Sequence, residues 1–152
     1  NIEKKFDVAF CSNVGERKGK IFKELKEKGL KVLNVIGWGK ERDKKIASAK
    51  ILINVHNYHD CKIFEHLRCD RWLFAGQVVV TENSLSDDLL DVADLAIIEG
   101  YDSLVDKVVD VANNYDSYKS ELDTKLKKDK DNLIKARMEK FDNFVSRAEN
   151  SE

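Results

Sequence analysis

The stretch ILINVHNYHDCKIFEHLRCDRWLFAGQVVVTE, residues 51–82, changes its periodicity twice. It opens with a β-branched run, ILINVH (51–56), and passes through a polar loop. A helical pattern follows from about Ile63 to Phe74, then a turn at Gly76 and a second β-branched run, QVVVTE (77–82). Continuous apolar runs of this length read as strands buried on both faces. Two strands joined by a helix lie parallel, and such crossovers are right-handed.

The same alternation extends outward in both directions. On the amino-terminal side, FDVAFCS (6–12) reads as a strand. The helical stretch ERKGKIFKELKEKG (16–29) places Ile21, Phe22 and Leu25 on one stripe and ends at Gly29. KVLNVIG (31–37) is a second strand and KERDKKIASAK (40–50) a short helix. On the carboxyl side, LAIIEG (95–100) is a fifth strand, and Leu104, Val105, Val108, Val109, Val111 and Ala112 mark another helix. The predicted fold is α/β: a doubly wound, mostly parallel sheet of about five strands with helices on both faces, over residues 1–116. A charged helical extension over 117–152 completes the chain. Its Leu122, Leu126, Leu133, Met138, Phe141 and Val145 keep a loose helical spacing, which fits either docking on the domain or binding a partner.

With 152 residues, 42% of them hydrophobic, the chain can bury one core. Its 27 basic and 28 acidic side chains leave a net charge of −1, so nothing draws the whole chain to nucleic acid or to an anionic membrane. No apolar run approaches the ~20 residues that a spanning helix needs. The opening NIEKKFDVAF lacks the apolar core and cleavage signature of a signal peptide. Three cysteines fit reduced thiols better than a disulfide framework. The expectation is a cytoplasmic protein with no nucleic-acid partner and no membrane span.

In open α/β sheets ligands sit beyond the carboxyl ends of the strands, where strand order reverses. That nominates the loops Ser12–Lys18, Gly37–Glu41, His56–Ile63, Thr81–Ser86 and Glu99–Asp102. In the first, Asn13 and Gly15 form a turn, and Arg17 and Lys18 stand at a helix start. Backbone N–H groups with two cations there suit a phosphate; the same two residues also fit the solvated face of a lysine-rich helix. No GxGxxG fingerprint is present, and Gly37 and Gly39 follow the second strand instead of the first.

His56, His59, Cys61, His66 and Cys69 fall within fourteen residues and raise the question of zinc. No paired CxxC accompanies them, and Cys69 beside Phe64 and Leu73 suits a small hydrophobe on a buried helix face. A Cys/His nucleophilic pair lacks an identifiable orienting residue. The expectation is that no metal is required.

The succession FDVAFCSNVGERKGKIFKELKEKGLKV, KERDKKIASAKILINVHNY and IFEHLRCDRWLFAGQVVVTENS resembles the carboxy-terminal, nucleotide-sugar-binding half of GT-B glycosyltransferases, over roughly residues 5–115. It is closest to divergent family-1/family-4-like forms of bacteria and large DNA viruses. The resemblance implies a domain that binds a nucleotide-sugar donor for transfer to an acceptor. Arg17 and Lys18 then occupy the place of the residues that grip the donor diphosphate, and Glu65 that of the carboxylate that recognises donor hydroxyls. The commoner pattern has glutamate five residues before the glycine, where this chain has Arg71. Glu65 with Arg68, three residues apart on one helical face, is the replacement pair or else an ordinary intrahelical ion pair. His56 and Asn57 would line the sugar pocket, and Glu82 with Asn83 would reach in from the next strand end. The acceptor belongs to an amino-terminal domain in such proteins, so the missing half must come from another domain or a partner subunit. The alternative is a non-catalytic flavodoxin-like or response-regulator-like module. A regulator needs clustered acidic residues after the first strand, where this loop offers Arg17 and Lys18.

Overall fold

A computed structural model describes residues 2–11, 13–60, 63–84 and 91–149, with the side chains of 147–149 left aside. Ser12 and Cys61, named among the loop and zinc candidates, lie outside the described residues. The elements run β1 (Phe6–Phe10), α1 (Glu16–Glu27), β2 (Val32–Asn34), α2 (Gly39–Ala47), β3 (Ala49–Asn54), α3 (His66–Phe74), β4 (Val78–Glu82), β5 (Ile97–Glu99), α4 (Leu104–Asn113) and α5 (Tyr115–Glu149). All five strands are parallel, in the order β2-β1-β3-β4-β5, the doubly wound sheet that the alternation predicts.

The pairing explains the apolar runs. Val8, Ala9, Ile51, Leu52, Val79 and Val80 are fully buried, because helices cover both faces of the central strands β1, β3 and β4. The edge strands β2 and β5 have three residues each. Phe10 meets Phe22 of α1 at 5.6 Å between ring centroids, tying the first strand to its crossover helix.

Element boundaries depart from the periodicity in two places that affect the site. β3 stops at Asn54, and Val55 and His56 continue beyond it, buried but outside the ladder. α3 starts at His66, not near Ile63, because Glu65 has non-helical dihedrals (φ −85°, ψ 73°) and serves as the N-cap residue. The Glu65 carbonyl accepts from the N–H groups of Arg68 and Cys69, so the carboxylate stands at the mouth of the helix.

Helix α5 has 35 residues, about 52 Å at 1.5 Å per residue. It docks on the domain from its start to Arg137. Leu122 is buried, and Tyr118, Leu126 and Leu133 pack against the same core. Lys130 donates to the Phe74 carbonyl at 2.8 Å, and Arg137 pairs with Asp70 at 2.6 Å and with Asp91 at 2.5 and 2.9 Å. Since Phe74 follows Asp70 in α3 while Lys130 precedes Arg137, the two helices run antiparallel. Among the described residues no helix is long and apolar enough to cross a membrane.

Candidate functional site at the carboxyl edge

Strand order reverses between β1 and β3, so the crevice opens between the loops that follow them. Right-handed connections place α1 on one face and α2 and α3 on the other. The structure accordingly divides the residues nominated at this edge between a closed knot and an open cleft.

The knot centres on Arg17. Its guanidinium holds both carboxylate oxygens of Glu82, at 2.7 and 3.3 Å. It also donates to the carbonyls of His56 (3.2 Å) and Tyr58 (3.3 Å). The same group lies 4.2 Å from the centroid of the Tyr101 ring, whose hydroxyl donates to the Arg17 carbonyl at 2.9 Å. Glu82 is almost fully buried and takes a further hydrogen bond from the His56 N–H at 3.0 Å. The buried His56 ring places Nε2 3.1 Å from the Asn83 carbonyl and 3.2 Å from the Ser84 hydroxyl. A carbonyl can only accept, so Nε2 carries the proton. The Asn83 N–H in turn donates to the Glu99 carbonyl at 2.8 Å. Arg17, His56, Glu82 and Asn83 are thus brought together, as the fastening of the loops after β3, β4 and β5.

The cleft holds Asn13, Asn57, Glu65 and Arg68 of the nominated residues. It has a volume of about 570 Å³ and is lined by Asn13 after β1, by Gly37, Trp38 and Arg42 after β2, by Asn57 after β3, and by Glu65, Arg68 and Arg71 of the α3 segment. Gly37 (φ 107°) and Gly39 (φ 76°) both adopt left-handed backbone, which only glycine takes without strain. Between them Trp38 is extended and 88% exposed, its indole held out on the rim with Arg42 5.4 Å from the ring centroid. Glu65 and Arg68 form the expected ion pair, and Arg68 also reaches the Asn54 side chain at 3.4 Å. Arg71 and Arg42 share Asp43, at 2.5 and 3.1 Å. Burial pushes the Asp43 carboxyl up, but hydrogen bonds from Arg71 and Arg42 outweigh it and hold its pKa below the usual range.

Lys18 points inward and is 1% exposed. Burial lowers its pKa first and the charge of Arg68 second, while Glu65 and Cys11 oppose the shift. The buried ammonium therefore feels the charges of both members of the Glu65–Arg68 pair. Lys18, Arg42, Arg68 and Arg71 stand against Glu65 and Asp43, a local excess of two positive charges in a chain whose net charge is −1. Gly15 is the exposed N-cap residue of α1 and has no neighbour near its Cα where a side chain would begin.

Arg42 and Arg71, which the sequence does not single out, also line this cleft, and Trp38 lies within the nominated loop Gly37–Glu41. Gly37-Trp38-Gly39 carried a signal, since an aromatic residue between two glycines is poorly suited to a core. Of the zinc candidates, Cys69 is fully buried, and burial raises its thiol pKa to about 12. His66 lies 3.0 Å from both oxygens of Asp70. Among the described residues no three His, Cys, Asp or Glu side chains converge as metal ligands.

No protein-family model matches the sequence, and no solved structure matches it. The chain is 44% identical to uncharacterized protein L138 of Acanthamoeba polyphaga mimivirus over 113 residues, 72% of this chain and 13% of that protein. It is 40% identical to uncharacterized protein L140 of the same virus over 117 residues, 74% of this chain and 38% of that protein. With uncharacterized protein L137 it shares 38% over 135 residues, 86% of this chain and 18% of that protein. The chain therefore spans well under half the length of these three mimivirus relatives, and its likeness is to segments of them.

Proposed function

We propose that the chain is the donor-binding domain of a GT-B-type glycosyltransferase, and that its cleft receives the nucleoside diphosphate of a nucleotide sugar. The observation that carries this reading is the cleft at the strand-order reversal, with an excess of two positive charges beneath an outward indole and a helix-cap carboxylate. Each part matches one portion of such a ligand. Arg42, Arg68 and Arg71 meet the diphosphate, with Lys18 adding positive potential from below. Trp38 stacks on the base. Glu65 accepts hydrogen bonds from ribose or sugar hydroxyls, and Asn13 and Asn57 add polar contacts at the rim.

Cleavage of the sugar–phosphate bond leaves negative charge on the departing diphosphate, and pre-placed cations stabilise that charge as it develops. In this reading side-chain cations do that work and no metal is required. Arg17, already occupied by Glu82, acts by holding the loops around the cleft. The free thiols of Cys11 and Cys69 suit a cytoplasmic setting.

Catalysis also needs an acceptor held in line with the sugar and a closed, dry site. The cleft is open to solvent, and in this reading the domain is half of an enzyme whose acceptor half is another domain or subunit. Thermal unfolding of the chain with nucleoside diphosphates and nucleotide sugars tests the binding, and mass spectrometry of acceptor mixtures tests transfer. A raised melting temperature with no glycosylated product is expected. No shift with any nucleotide rejects the donor reading, and multiple turnover by the chain alone rejects the half-enzyme reading.

One observation favours a second reading. The order β2-β1-β3-β4-β5 is that of flavodoxin-like and response-regulator-like modules, a likeness of fold alone. Against the regulator form, Asp7 lies at the amino end of the sheet, bound to the Lys31 N–H (2.9 Å) and to Lys50 (3.1 Å), and Glu82 is closed off by Arg17. Stabilisation by acetyl phosphate or flavin but not by nucleotides would favour this module.

A further inference from the structure

The distal half of α5 carries a second apolar row that, among the described residues, is largely exposed. Tyr118, Leu122, Leu126 and Leu133 face the core, whereas Ile134, Met138, Phe141 and Val145 are rotated from them by roughly a third of a turn at 3.6 residues per turn. Met138 and Phe141 are 62% and 66% exposed, and Phe144 beside them is exposed as well. Packing on its own sheet explains the first row and leaves the second without an occupant.

We propose that a second copy of this chain covers it, the two distal helices pairing antiparallel about a two-fold axis between Met138 and Phe141. Three observations select that occupant. The spacing of Ile134, Met138, Phe141 and Val145, four, three and four residues, is the alternation of a two-helix seam. Antiparallel overlap centred there sets Met138 against Phe141 of the other copy and Ile134 against Val145. It also brings Lys135 on one flank opposite Asp142 of the other copy, twice by symmetry. Among the described residues Lys135 pairs only with Glu139, at 4.0 Å, and its side chain is largely exposed. Finally, the domain holds α5 as far as Arg137, so antiparallel overlap centred beyond that point sets the two domains at opposite ends, whereas parallel overlap would crowd them together. Lys135, Glu139, Lys140 and Asp142 balance in sign, which suits another mixed-charge helix better than an anionic membrane.

Four apolar side chains per copy make an interface below the standard size of about 800 Å² per partner, so the dimer is weak, with half-association on the order of 10–100 μM. Sedimentation velocity on the full chain from about 5 to about 500 μM brackets that constant. The wild type should pass from monomer to dimer across the series, and Phe141→Asp should remain monomeric with unchanged helix content. Lys135→Glu or Asp142→Lys alone should weaken association by roughly fivefold through like-charge contacts, and the double reversal should restore it. A wild type that stays monomeric throughout, or a double reversal no stronger than either single one, overturns the proposal. None of these positions touches the cleft, so the outcome is independent of the donor-binding reading.

Discussion

Arg17 and Glu82 stand 65 residues apart in the chain and meet through two hydrogen bonds at 2.7 and 3.3 Å, the carboxylate almost wholly buried beneath the guanidinium. A cation at the start of the first crossover helix and an anion at the end of the fourth strand therefore satisfy each other. The pair distinguishes two roles for Arg17, fastening and ligand binding, that have separate signatures.

Among the described residues, removing Arg17 leaves the buried Glu82 carboxylate with the His56 N–H as its remaining donor. Arg17→Ala is expected to destabilise the chain by about 3–5 kcal/mol, the usual cost of stranding one member of a buried pair. Urea denaturation measures that loss. Under conditions where the variant is still folded, its affinity for a nucleoside diphosphate should change by less than about threefold. A loss of tenfold or more of affinity, the size of a charge-assisted phosphate contact of about 1.5–3 kcal/mol, would return Arg17 to the ligand.

Trp38 gives the opposite pattern. Because the indole is 88% exposed, Trp38→Ala should shift stability by no more than about 0.5 kcal/mol. Loss of a stacking contact of about 1–3 kcal/mol should nevertheless weaken nucleoside diphosphate binding by about tenfold. Titration calorimetry with pyrophosphate is the control, since a ligand without a base should bind both forms alike.

Arg68→Ala should weaken both nucleoside diphosphate and pyrophosphate by at least about tenfold, as it removes a charge from the phosphate region of the cleft. Equal affinity for pyrophosphate in wild type and variant would place the anion elsewhere.

The pH dependence of stability should carry the mark of Cys69. Burial holds its folded pKa at about 12, against 9.0 for an unperturbed thiol. The raised value means that the unfolded chain loses this proton first. The protonated buried thiol contributes its full stability below about pH 9, and that contribution falls as pH rises toward the folded value, at up to about 1.4 kcal/mol per unit. Urea melts between pH 8 and about pH 10.5 should show this slope in the wild type and a shallower one in Cys69→Ala.

Arg137 ties α5 to two other segments, through Asp70 and Asp91. Hydrogen bonding from Arg137 depresses the Asp91 pKa against the opposing effect of burial. The contact therefore contributes its full stability above the ordinary carboxylate range, and that contribution is lost as pH falls below the range through the depressed folded pKa. Arg137→Ala should accelerate amide hydrogen exchange in the distal turns of α5 at neutral pH, by an amount corresponding to about 1 kcal/mol, while leaving exchange in β3 and β4 unchanged.

The layers of the fold were readable because strand and crossover periods differ. VVVTE and AKILIN are buried on both faces and show it in composition, and the helix between them shows its stripe. Glu65 was assigned to the correct edge and paired with the correct arginine, since a spacing of three is a local rule. What spacing does not encode is which cation a distant carboxylate takes. Arg17 looks like a phosphate ligand until Glu82 is brought beside it by β4, and no pattern within either segment announces the meeting. Arg71 was read as a departure from a motif, yet it faces the same cleft because α3 turns its 65, 68 and 71–72 positions toward α2. Trp38 falls in a loop that the strand order nominates, but nothing in the Gly37-Trp38-Gly39 spacing says that its indole stands out on the rim.

The three-residue length of β2 and β5 has a consequence for how this domain lives beside other protein. A parallel sheet exposes unpaired backbone at its two margins, and a long, flat margin invites a foreign strand to join. Here each margin is a strand of three residues before the chain turns away. Strand addition, the commonest route by which α/β sheets fuse with neighbours or with misfolded copies of themselves, finds little to grip. Contacts with other polypeptide are thereby directed to the helices and to the carboxyl-edge loops, where side chains can choose among partners.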